Sequence, residues 1–244
     1  MGEWFKDWFA SDFYLSVYSH RNDEDAEIFL NKVLSYIPID PGSEILDAAC
    51  GAGRHSILMA RKGFKVTAFD LSEPLLEIAA AKNKAQNLDI NFFREDLRKV
   101  KLDKKFSLIL NLFTSFGYFD SDEENFAFIR SAYEMQGKEG YFIFDYFNEA
   151  FLRKHVVAES SKIINGLEIK EKRGIKGNRI VKQIEIVQGG DRLNYEESVQ
   201  LYTFNEIIER FRETGYREVQ IFGNYNCGTF EPEESDRLII IFQK

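Results

Sequence analysis

Residues 44 to 56 read Glu44-Ile45-Leu46-Asp47-Ala48-Ala49-Cys50-Gly51-Ala52-Gly53-Arg54-His55-Ser56. A short apolar run ends in an acid, two glycines flank one alanine, and a segment compatible with a helix follows at once. The pattern predicts a strand, a tight loop and a helix. Glycine tolerates a positive φ and lets the backbone approach a ligand closely, and the amides at a helix N-terminus favour strongly accepting groups. The loop is therefore predicted to bind a ligand.

The spacing within this loop separates several kinds of ligand site. A dinucleotide site needs a third glycine where Ser56 stands, and a P-loop needs a Gly-Lys-Ser/Thr sequence that the loop lacks. Instead, the acid Asp47 stands before Gly51, at the end of the predicted strand. A carboxylate in this position is expected to face an amine rather than a phosphate.

Length and composition indicate one folded domain with an insertion, or one domain with a small subdomain. The 244 residues suit a doubly wound domain of this kind, and a hydrophobic content of 44% with 23 phenylalanines supports a sizeable core. The net charge of −8 argues against a nucleic-acid partner, because such binding rests on Lys and Arg side chains that neutralise phosphates.

Cysteine usage and the apolar runs indicate the compartment. The two cysteines, Cys50 and Cys227, are far apart, which favours a reducing, cytoplasmic location. The N-terminal residues contain no uninterrupted apolar run of the signal-peptide type, and the longest apolar run, residues 238–242, is too short to cross a membrane. The three histidines are scattered, so no metal site is predicted.

Two further predicted strands have an acidic residue at or shortly after their end. Residues 65–70 predict a second strand that ends in Asp70. Asp70 follows Gly53 at close to the roughly 20-residue interval at which a strand-terminal acid meets ribose hydroxyls. Residues 90–94 predict a third strand, and Asp96 comes shortly after it. The first half of the chain thus predicts a nucleoside site with several carboxylates.

The segment Asp-Ala-Ala-Cys-Gly-Ala-Gly at residues 47–53, with Asp70 and Asp96 following in order, resembles the cofactor motifs of class I S-adenosylmethionine-dependent methyltransferases. The resemblance covers nearly the whole chain and extends to an uncharacterised bacterial branch of small-molecule type. It implies an α/β fold with a Rossmann-like sheet of seven strands, the last one antiparallel. It also implies S-adenosyl-L-methionine as the cofactor and S-adenosyl-L-homocysteine as its product.

In the resembled family, three acidic residues each bind a different part of the cofactor. By this resemblance Asp47 helps to hold the ammonium group, Asp70 holds the ribose hydroxyls and Asp96 holds the exocyclic amine of adenine. The glycine loop runs under the methionine part. The other positions that we expect to contact the cofactor are Tyr14, Ala49, Gly51, Gly53, Leu71, Leu97 and Asn111.

Aromatic residues crowd the N-terminal segment. Trp4 and Trp8 recur at helical spacing, so a short amphipathic helix is predicted. The Tyr-rich segment that follows ends in His20-Arg21, and it resembles a segment that closes over the cofactor in the bacterial branch. Tyr18, His20 and Arg21 are therefore expected to face the cofactor or the substrate.

The substrate side is predicted at the carboxyl ends of two later strands. Residues 106–112 are apolar on both faces, as in a central parallel strand, and open α/β sheets place their ligands at such strand ends. Phe116 and Tyr118 follow, and they are expected to wall the methyl-transfer site. The next strand, predicted at 140–145, adds the substrate-side candidates Asp145, Tyr146 and Asn148.

Residues 161–203 change to an alternating pattern, with Gly177-Asn178 and Gly189-Gly190 as hairpin turns. They predict an inserted antiparallel β meander that is either a lid over the substrate cleft or a dimer surface. The predicted organisation is an N-terminal helical cap at 1–40, a cofactor-binding methyltransferase domain at 41–160 and 204–244, and the inserted subdomain at 161–203. The chain is expected to be a monomer or a homodimer.

These observations predict S-adenosylmethionine-dependent methyl transfer to a small-molecule acceptor. A sulfonium methyl is already electrophilic, so the protein is expected to act by binding and orientation. An acceptor amine or hydroxyl would pass its proton to His20, Tyr118, Asp145 or Tyr146. Two alternatives remain open: a catalytically silent adenosylmethionine-binding protein, and a nicotinamide-dependent oxidoreductase, which Ser56 in place of a third glycine disfavours.

Overall fold

The computed structural model describes residues 3–18 and 23–244, which form two β-sheets and their flanking helices. The strands are β1 (Glu44–Ala48), β2 (Lys65–Asp70), β3 (Asn91–Arg94), β4 (Phe106–Asn111), β5 (Gln136–Phe147), β6 (Glu159–Ile164), β7 (Leu167–Lys176), β8 (Arg179–Gln188), β9 (Asp191–Gln200), β10 (Arg217–Phe222) and β11 (Arg237–Gln243).

The helices are α1 (Trp4–Phe9), α2 (Tyr14–Val17), α3 (Asp23–Leu34), α4 (Arg54–Arg61), α5 (Glu73–Ala85), α6 (Asp122–Asn125), α7 (Ala127–Met135), α8 (Glu149–His155) and α9 (Phe204–Thr214). Within residues 3–18 and 23–244, none of the helices combines the length and the apolar character that a membrane crossing requires.

Seven strands form the large sheet in the order β10-β11-β5-β4-β1-β2-β3. Parallel pairing joins β3, β2, β1, β4 and β5. β11 is inserted between β5 and β10 and runs antiparallel to both. The prediction of a seven-stranded Rossmann-like sheet whose last strand is antiparallel is therefore confirmed.

Apolar side chains cover both faces of the large sheet. Leu46 and Ile109 are buried on the face that packs against α7 and α9, and Ile45 and Leu110 are buried on the face that packs against α3 and α4. Because successive side chains of a strand point to opposite faces, a strand that is buried on both faces reads as one continuous apolar run. This is why the central strand was recognisable in the sequence.

Strands β6 to β9 form a second, antiparallel sheet. The sequence predicted the last three of these strands and their glycine turns, and Gly177 and Gly189 both have a φ of 59°. β6 is an additional strand that was not predicted. Its sequence, Glu-Ser-Ser-Lys-Ile-Ile, is mostly polar, and the strand pairs with β7 at the edge of the sheet.

The sequence of residues 123–136 predicts a single helix between β4 and β5, but the structure divides this segment into α6 and α7. The strand β5 begins at Gln136, before the predicted start at residue 140. Asn125 at the end of α6 is drawn into the core, where its side chain bonds the backbone amide and carbonyl of Phe119 at 3.0 and 3.1 Å. Gln136 accepts a hydrogen bond of 2.5 Å from the hydroxyl of Tyr216. The bond between Gln136 and Tyr216 joins distant parts of the chain, whereas Asn125 bonds to a residue only six positions away.

Helices α1 and α2, within residues 3–18 and here named the cap, pack against the second sheet. Trp8 and Val17 of the cap are buried together with Ile169, Ile184 and Ile186 of the sheet. One face of the second sheet is therefore covered by the cap.

Candidate functional site

A cavity of about 230 Å³ lies at the carboxyl edge of the large sheet, where β1, β2 and β4 end. Five acidic residues line it. Three stand at or shortly after strand ends: Asp47 near the end of β1, Asp70 at the end of β2, and Asp96 shortly after β3; the other two are Asp23 and Glu95. Ligands of open α/β sheets bind at this edge. The other lining residues that the sequence assigned to a cofactor are Tyr14, Ala49, Gly51, Leu71 and Leu97.

The backbone of the glycine loop turns through left-handed conformations at Ala49, Gly51 and Gly53, with φ values of 57°, 55° and 75°. A Cβ atom on Gly53 would lie 2.8 Å from the Cβ of Ala79 on α5, so only glycine lets the loop pack there. A Cβ atom on Gly51 would lie 4.0 Å from its nearest neighbour, an atom of Leu75, and Gly51 lines the cavity. Gly53 thus closes the loop against α5, whereas Gly51 leaves room for a ligand.

Asp70 is fixed by backbone amides. Its Oδ2 accepts from the amide of Gly51 at 2.8 Å and its Oδ1 accepts from the amide of Ser72 at 2.8 Å. Burial raises the pKa of Asp70, while these hydrogen bonds oppose the rise. The carboxylate therefore joins the glycine loop to the turn that begins α5 and faces the cavity with a defined orientation.

Asp47 is only 2% exposed, and its Oδ2 accepts a hydrogen bond of 2.5 Å from the hydroxyl of Ser56. Burial raises the pKa of Asp47 to about 7, and the nearby carboxylate of Asp70 adds to the rise. Ser56 stands where a dinucleotide fingerprint would have its third glycine. That position therefore holds a side chain that orients the acid.

Asp96 accepts hydrogen bonds from the Arg98 guanidinium, at 2.6 Å from Nη2 and 3.1 Å from Nε. Partial burial raises the pKa of Asp96, but hydrogen bonds from Arg98 stabilise the charged form. The pKa of Asp96 therefore lies below its usual value. Arg98 also bonds Glu3 of the cap at 2.7 Å and Glu124 of α6 at 3.0 Å. One arginine thus connects the third acid of the cavity to the cap.

Aromatic side chains form the opposite wall of the cavity. Tyr14 begins α2, Tyr18 directly follows α2, and Tyr118 comes from the loop after β4. The ring of Tyr118 packs against Trp4 and Phe5 of α1, with ring centres 5.1 and 6.2 Å apart. The structure thus places Tyr118, one of the four predicted proton acceptors, at the cavity.

The sequence reasoning missed a stack of rings beside the glycine loop. Phe113 lines the cavity and lies between His55 and Tyr225, with ring centres at 5.1 and 5.0 Å. Arg54 covers the same ring at 4.4 Å. Two signals pointed to this cluster: Arg54 and His55 directly follow Gly53, and Phe113 follows the end of a central strand.

Asp145 does not line the cavity, which corrects its prediction as a substrate-side proton acceptor. The residue is 0% exposed because β11 covers the end of β5. Its carboxylate accepts from the Phe113 amide (2.7 Å), the Tyr225 hydroxyl (3.0 Å) and Arg237 Nη2 (2.5 Å). Phe113 and Thr114 have φ values of 57° and 61°, so Asp145 holds a backbone that L-residues rarely adopt.

Tyr146 also lies away from the cavity, which corrects its prediction as a proton acceptor. Its hydroxyl donates to the carbonyl of Gln200, and burial raises its pKa well above the usual value. Phe116 packs in the same core cluster and does not wall the cavity. As neighbours on one strand, Asp145 and Tyr146 face opposite sides of the sheet.

Two predicted amide side chains have structural partners. The Asn111 amide donates to the carbonyls of Ala48 (3.3 Å) and Ser115 (3.5 Å), and Asn111 lies outside the residues that line the large cavity. Asn148 caps α8 and donates to the carbonyl of Ser235 at 2.8 Å. The predictions for His20 and Arg21 lie outside the described residues.

The hydrogen-bond acceptors of the cavity suit a ligand with an ammonium group, hydroxyls and an aromatic amine. Carboxylates accept hydrogen bonds from such groups. Five acidic residues line the cavity against two cationic ones, Arg54 and Lys82, and this excess of negative charge disfavours a phosphate. The aromatic wall offers ring faces to a base or to a sulfonium cation. Within residues 3–18 and 23–244, no cluster of three or more His, Cys, Asp and Glu side chains could hold a metal ion.

Comparisons with known proteins agree with this geometry. A family model for a methyltransferase domain matches residues 45–140, from β1 into β5. A protein of Geobacillus sp. (strain WCH70), named as a candidate methyltransferase, is 25% identical over 226 residues, which cover 88% of this chain and 90% of that protein.

Two solved structures resemble the fold over almost its whole length. A S-adenosylmethionine-dependent methyltransferase from Clostridium acetobutylicum ATCC 824 has a TM-score of 0.81 at 18% identity and covers 95% of both chains. CalS10 from Micromonospora echinaspora, an amino pentose methyltransferase with its cofactor bound, has a TM-score of 0.70 at 16% identity and covers 96% of this chain and 97% of its own. At these identities the likeness establishes the fold.

Proposed function

We propose that this chain, which contains a methyltransferase domain and has the fold of S-adenosylmethionine-dependent methyltransferases, transfers the methyl group of S-adenosyl-L-methionine to a small-molecule acceptor. The observation that carries the proposal is the meeting of Asp47, Asp70 and Asp96 in one cavity at the carboxyl edge of the sheet. Three acids in this arrangement match the three hydrogen-bond-donating parts of the cofactor, which are its ammonium group, its ribose hydroxyls and its adenine amine.

We assign Asp47 to the ammonium group of the cofactor, Asp70 to its ribose hydroxyls and Asp96 to its adenine amine. The order along the sheet supports this assignment, because the acids stand at three strand ends that follow one another in space. The open side of Gly51 lets the methionine part pass beside the backbone.

The bound cofactor supplies an electrophilic methyl group, so the residues of the chain act by holding and orienting the two reactants. Such positioning contributes on the order of 7–11 kcal/mol in well-oriented reactions. Aromatic rings of the cap and of the loop after β4 line the cavity, and we expect them to keep water from the reacting groups. Tyr118 and His55 line the cavity, and we propose that they are the groups within reach of a proton from the acceptor.

Three observations support a small-molecule acceptor. The cavity lies beneath the cap, and aromatic residues surround it. A net charge of −8 disfavours nucleic acid. The fold neighbour CalS10 is an amino pentose methyltransferase. We further propose a cytoplasmic location, because Cys50 and Cys227 are both free thiols.

Thermal unfolding in the presence of ligands tests the proposed function. S-adenosylhomocysteine at 100 times its dissociation constant should stabilise the protein by about 2.7 kcal/mol. This raises the unfolding temperature by several degrees, at roughly 2–4 °C per kcal/mol. S-adenosylmethionine should act similarly, whereas NADH at the same concentration should have no effect. Stabilisation by NADH alone would mean that the glycine loop binds a dinucleotide.

Two matched variants test whether the stabilisation by S-adenosylhomocysteine depends on Asp70. Asp70→Ala should abolish the stabilisation by S-adenosylhomocysteine, because the ribose loses its acceptor and the glycine loop loses its anchor. Asp103→Ala removes an exposed acid and should respond like the unmodified protein. Equal stabilisation of both variants would reject the ribose assignment. Turnover with candidate acceptors then distinguishes an enzyme from a silent binding protein.

A further inference from the structure

A shielded charge cluster on the second sheet holds the cap from outside the cavity. The Oε1 of Glu197, on β9, accepts from the Trp8 indole at 2.7 Å and from the Tyr18 hydroxyl at 2.5 Å. Its Oε2 pairs with Lys182 Nζ, on β8, at 2.7 Å. Lys182 also contacts the hydroxyl of Tyr18 and lies 4.6 Å from the centre of its ring.

The cluster acts on the cavity through the cap. Among the residues that line the cavity, Tyr18 is present, and Glu197 and Lys182 are not. Tyr18 therefore contributes to the lining of the cavity while its hydroxyl is held in the cluster. The side chains of Glu197 and Lys182 are only 16% and 11% exposed. Charges this shielded interact more strongly than exposed pairs, and removal of one partner is correspondingly costly.

The inner side of the cap is tied to two of the cavity acids. The hydroxyl of Ser72 donates to the carbonyl of Phe9 at 2.7 Å, while the amide of Ser72 donates to Asp70. Arg98 bonds both Asp96 and Glu3. A movement of the cap away from the second sheet would therefore disturb the groups that orient both acids.

We propose that Glu197 and Lys182 are positioning residues of the cofactor site, which hold the cap closed over the cavity and thereby raise the affinity for the cofactor. The inference rests on the proposed function. A ligand that binds the closed form better shifts the population towards that form, and the coupling is reciprocal. Weakening the cluster lowers cofactor affinity although neither residue lines the cavity.

The test compares two variants that carry the same chemical change on the same sheet. Glu197→Gln keeps the shape but removes the charge and places an amide N–H group beside Lys182. Glu185→Gln is the matched control, because Glu185 pairs with Lys170 and Arg192 and belongs to the opposite face of the sheet. Isothermal titration should give a dissociation constant for S-adenosylhomocysteine at least about fivefold higher in Glu197→Gln, and an unchanged value in Glu185→Gln.

Tryptophan emission gives a second readout, which a loss of stability alone would not change. The chain has 2 tryptophans, Trp4 and Trp8, and both lie on α1. Acrylamide should quench their emission more strongly in ligand-free Glu197→Gln than in the unmodified protein or in Glu185→Gln. Binding of S-adenosylhomocysteine should reduce the quenching in each protein.

The outcomes separate this inference from the proposed function. An unmodified protein that does not bind S-adenosylhomocysteine would overturn both. Binding by the unmodified protein, with equal affinity and quenching in Glu197→Gln and Glu185→Gln, would overturn the role of the cluster alone. If Glu197→Gln does not fold, Tyr18→Phe removes the hydroxyl and keeps the ring. It should shift affinity and quenching in the same direction, and unchanged values would overturn the inference.

Discussion

At the scale of single residues, Asp47 is a carboxylate whose burial opposes its charge. Burial raises its pKa to about 7, and the hydrogen bond from Ser56 only partly offsets this effect. Transfer of a charge out of water is unfavourable unless an opposite charge compensates it. The ammonium group of the cofactor is the cation that we assign to this position, so binding and deprotonation of Asp47 are linked.

We predict that the affinity for S-adenosylhomocysteine falls as the pH is lowered through about 7. In the ligand-free protein Asp47 gains a proton near this pH, and a neutral carboxyl group binds an ammonium group poorly. The dissociation constant should be about tenfold higher at pH 6 than at pH 8, since each pKa unit corresponds to about a factor of ten. Titration calorimetry across this range measures the effect. The same dissociation constant at pH 6 and pH 8 would reject the assignment of Asp47.

At the scale of elements, Arg179 of β8 attaches the second sheet to the loop that follows β4. Its guanidinium donates to the carbonyls of Phe119 (3.0 Å), Tyr118 (3.2 Å) and Gly117 (3.3 Å), and to the carbonyl of Ser198 at 2.8 Å. Burial lowers the pKa of Arg179. A planar fork of donors thus fixes the loop that carries Tyr118 into the cavity.

We predict that Arg179→Lys destabilises the protein by about 2 kcal/mol or more, because the ammonium group of lysine cannot replace the fork and several carbonyls lose a charged donor. The unfolding temperature should fall by several degrees, at roughly 2–4 °C per kcal/mol. Arg192→Lys is the control, since the Arg192 side chain is 66% exposed and its ion pair with Glu185 contributes little. An equal response of the two variants in thermal unfolding would contradict this role of Arg179.

At the scale of the whole molecule, the raised pKa of buried Asp47 lowers the stability of the ligand-free protein as the pH rises. The unfolded chain releases the Asp47 proton near its ordinary pKa of 3.8, whereas the folded protein retains it up to about 7. Between these values the folded state binds more protons, so the free energy of unfolding decreases as the pH rises. The loss is at most about 4 kcal/mol, at about 1.4 kcal/mol for each pKa unit.

We predict that Asp47→Asn stabilises the ligand-free protein at pH 8 and leaves its stability at pH 4 unchanged. Asparagine removes the ionisable group and still accepts the hydrogen bond from Ser56. The unfolding temperature at pH 8 should rise by several degrees, while stabilisation by S-adenosylhomocysteine should be lost. Scanning calorimetry at the two pH values, with Asp103→Asn as the exposed control, measures both effects. An Asp47→Asn protein that is no more stable than the unmodified protein at pH 8 would contradict the prediction.

Much of the site was predictable because its signals are local. Asp47, Gly51 and Asp70 depend on a strand end, a turn that needs positive φ values, and the spacing of one βαβ unit. The same features define the large sheet, since strands that are buried on both faces appear as apolar runs. The enclosed acids and the seven-stranded fold could therefore be predicted without the structure.

Asp145 shows where such prediction ends. The sequence places it at the carboxyl end of a parallel strand, like the cavity acids. Only the structure, in which β5 pairs with β11, reveals that Arg237 and Tyr225 donate hydrogen bonds to its carboxylate. These partners lie far along the chain, and no short-range pattern encodes them. The early start of β5 has a similar origin, because Gln136 bonds to the distant Tyr216. The strand β6 was missed for another reason: it is mostly polar, and it pairs with the next strand, β7, at the edge of the sheet.

The sequence by itself determined the order of the strands that end in acids, the left-handed glycine loop and the kind of ligand that three carboxylates can hold, because each depends on neighbouring residues and backbone periodicity. Only the tertiary structure decided that the inserted sheet packs on the cap, that Glu197 holds Trp8 and Tyr18, and which aromatic rings reach the cavity. Those contacts join residues more than a hundred positions apart, so the folded packing selects them and no local pattern does.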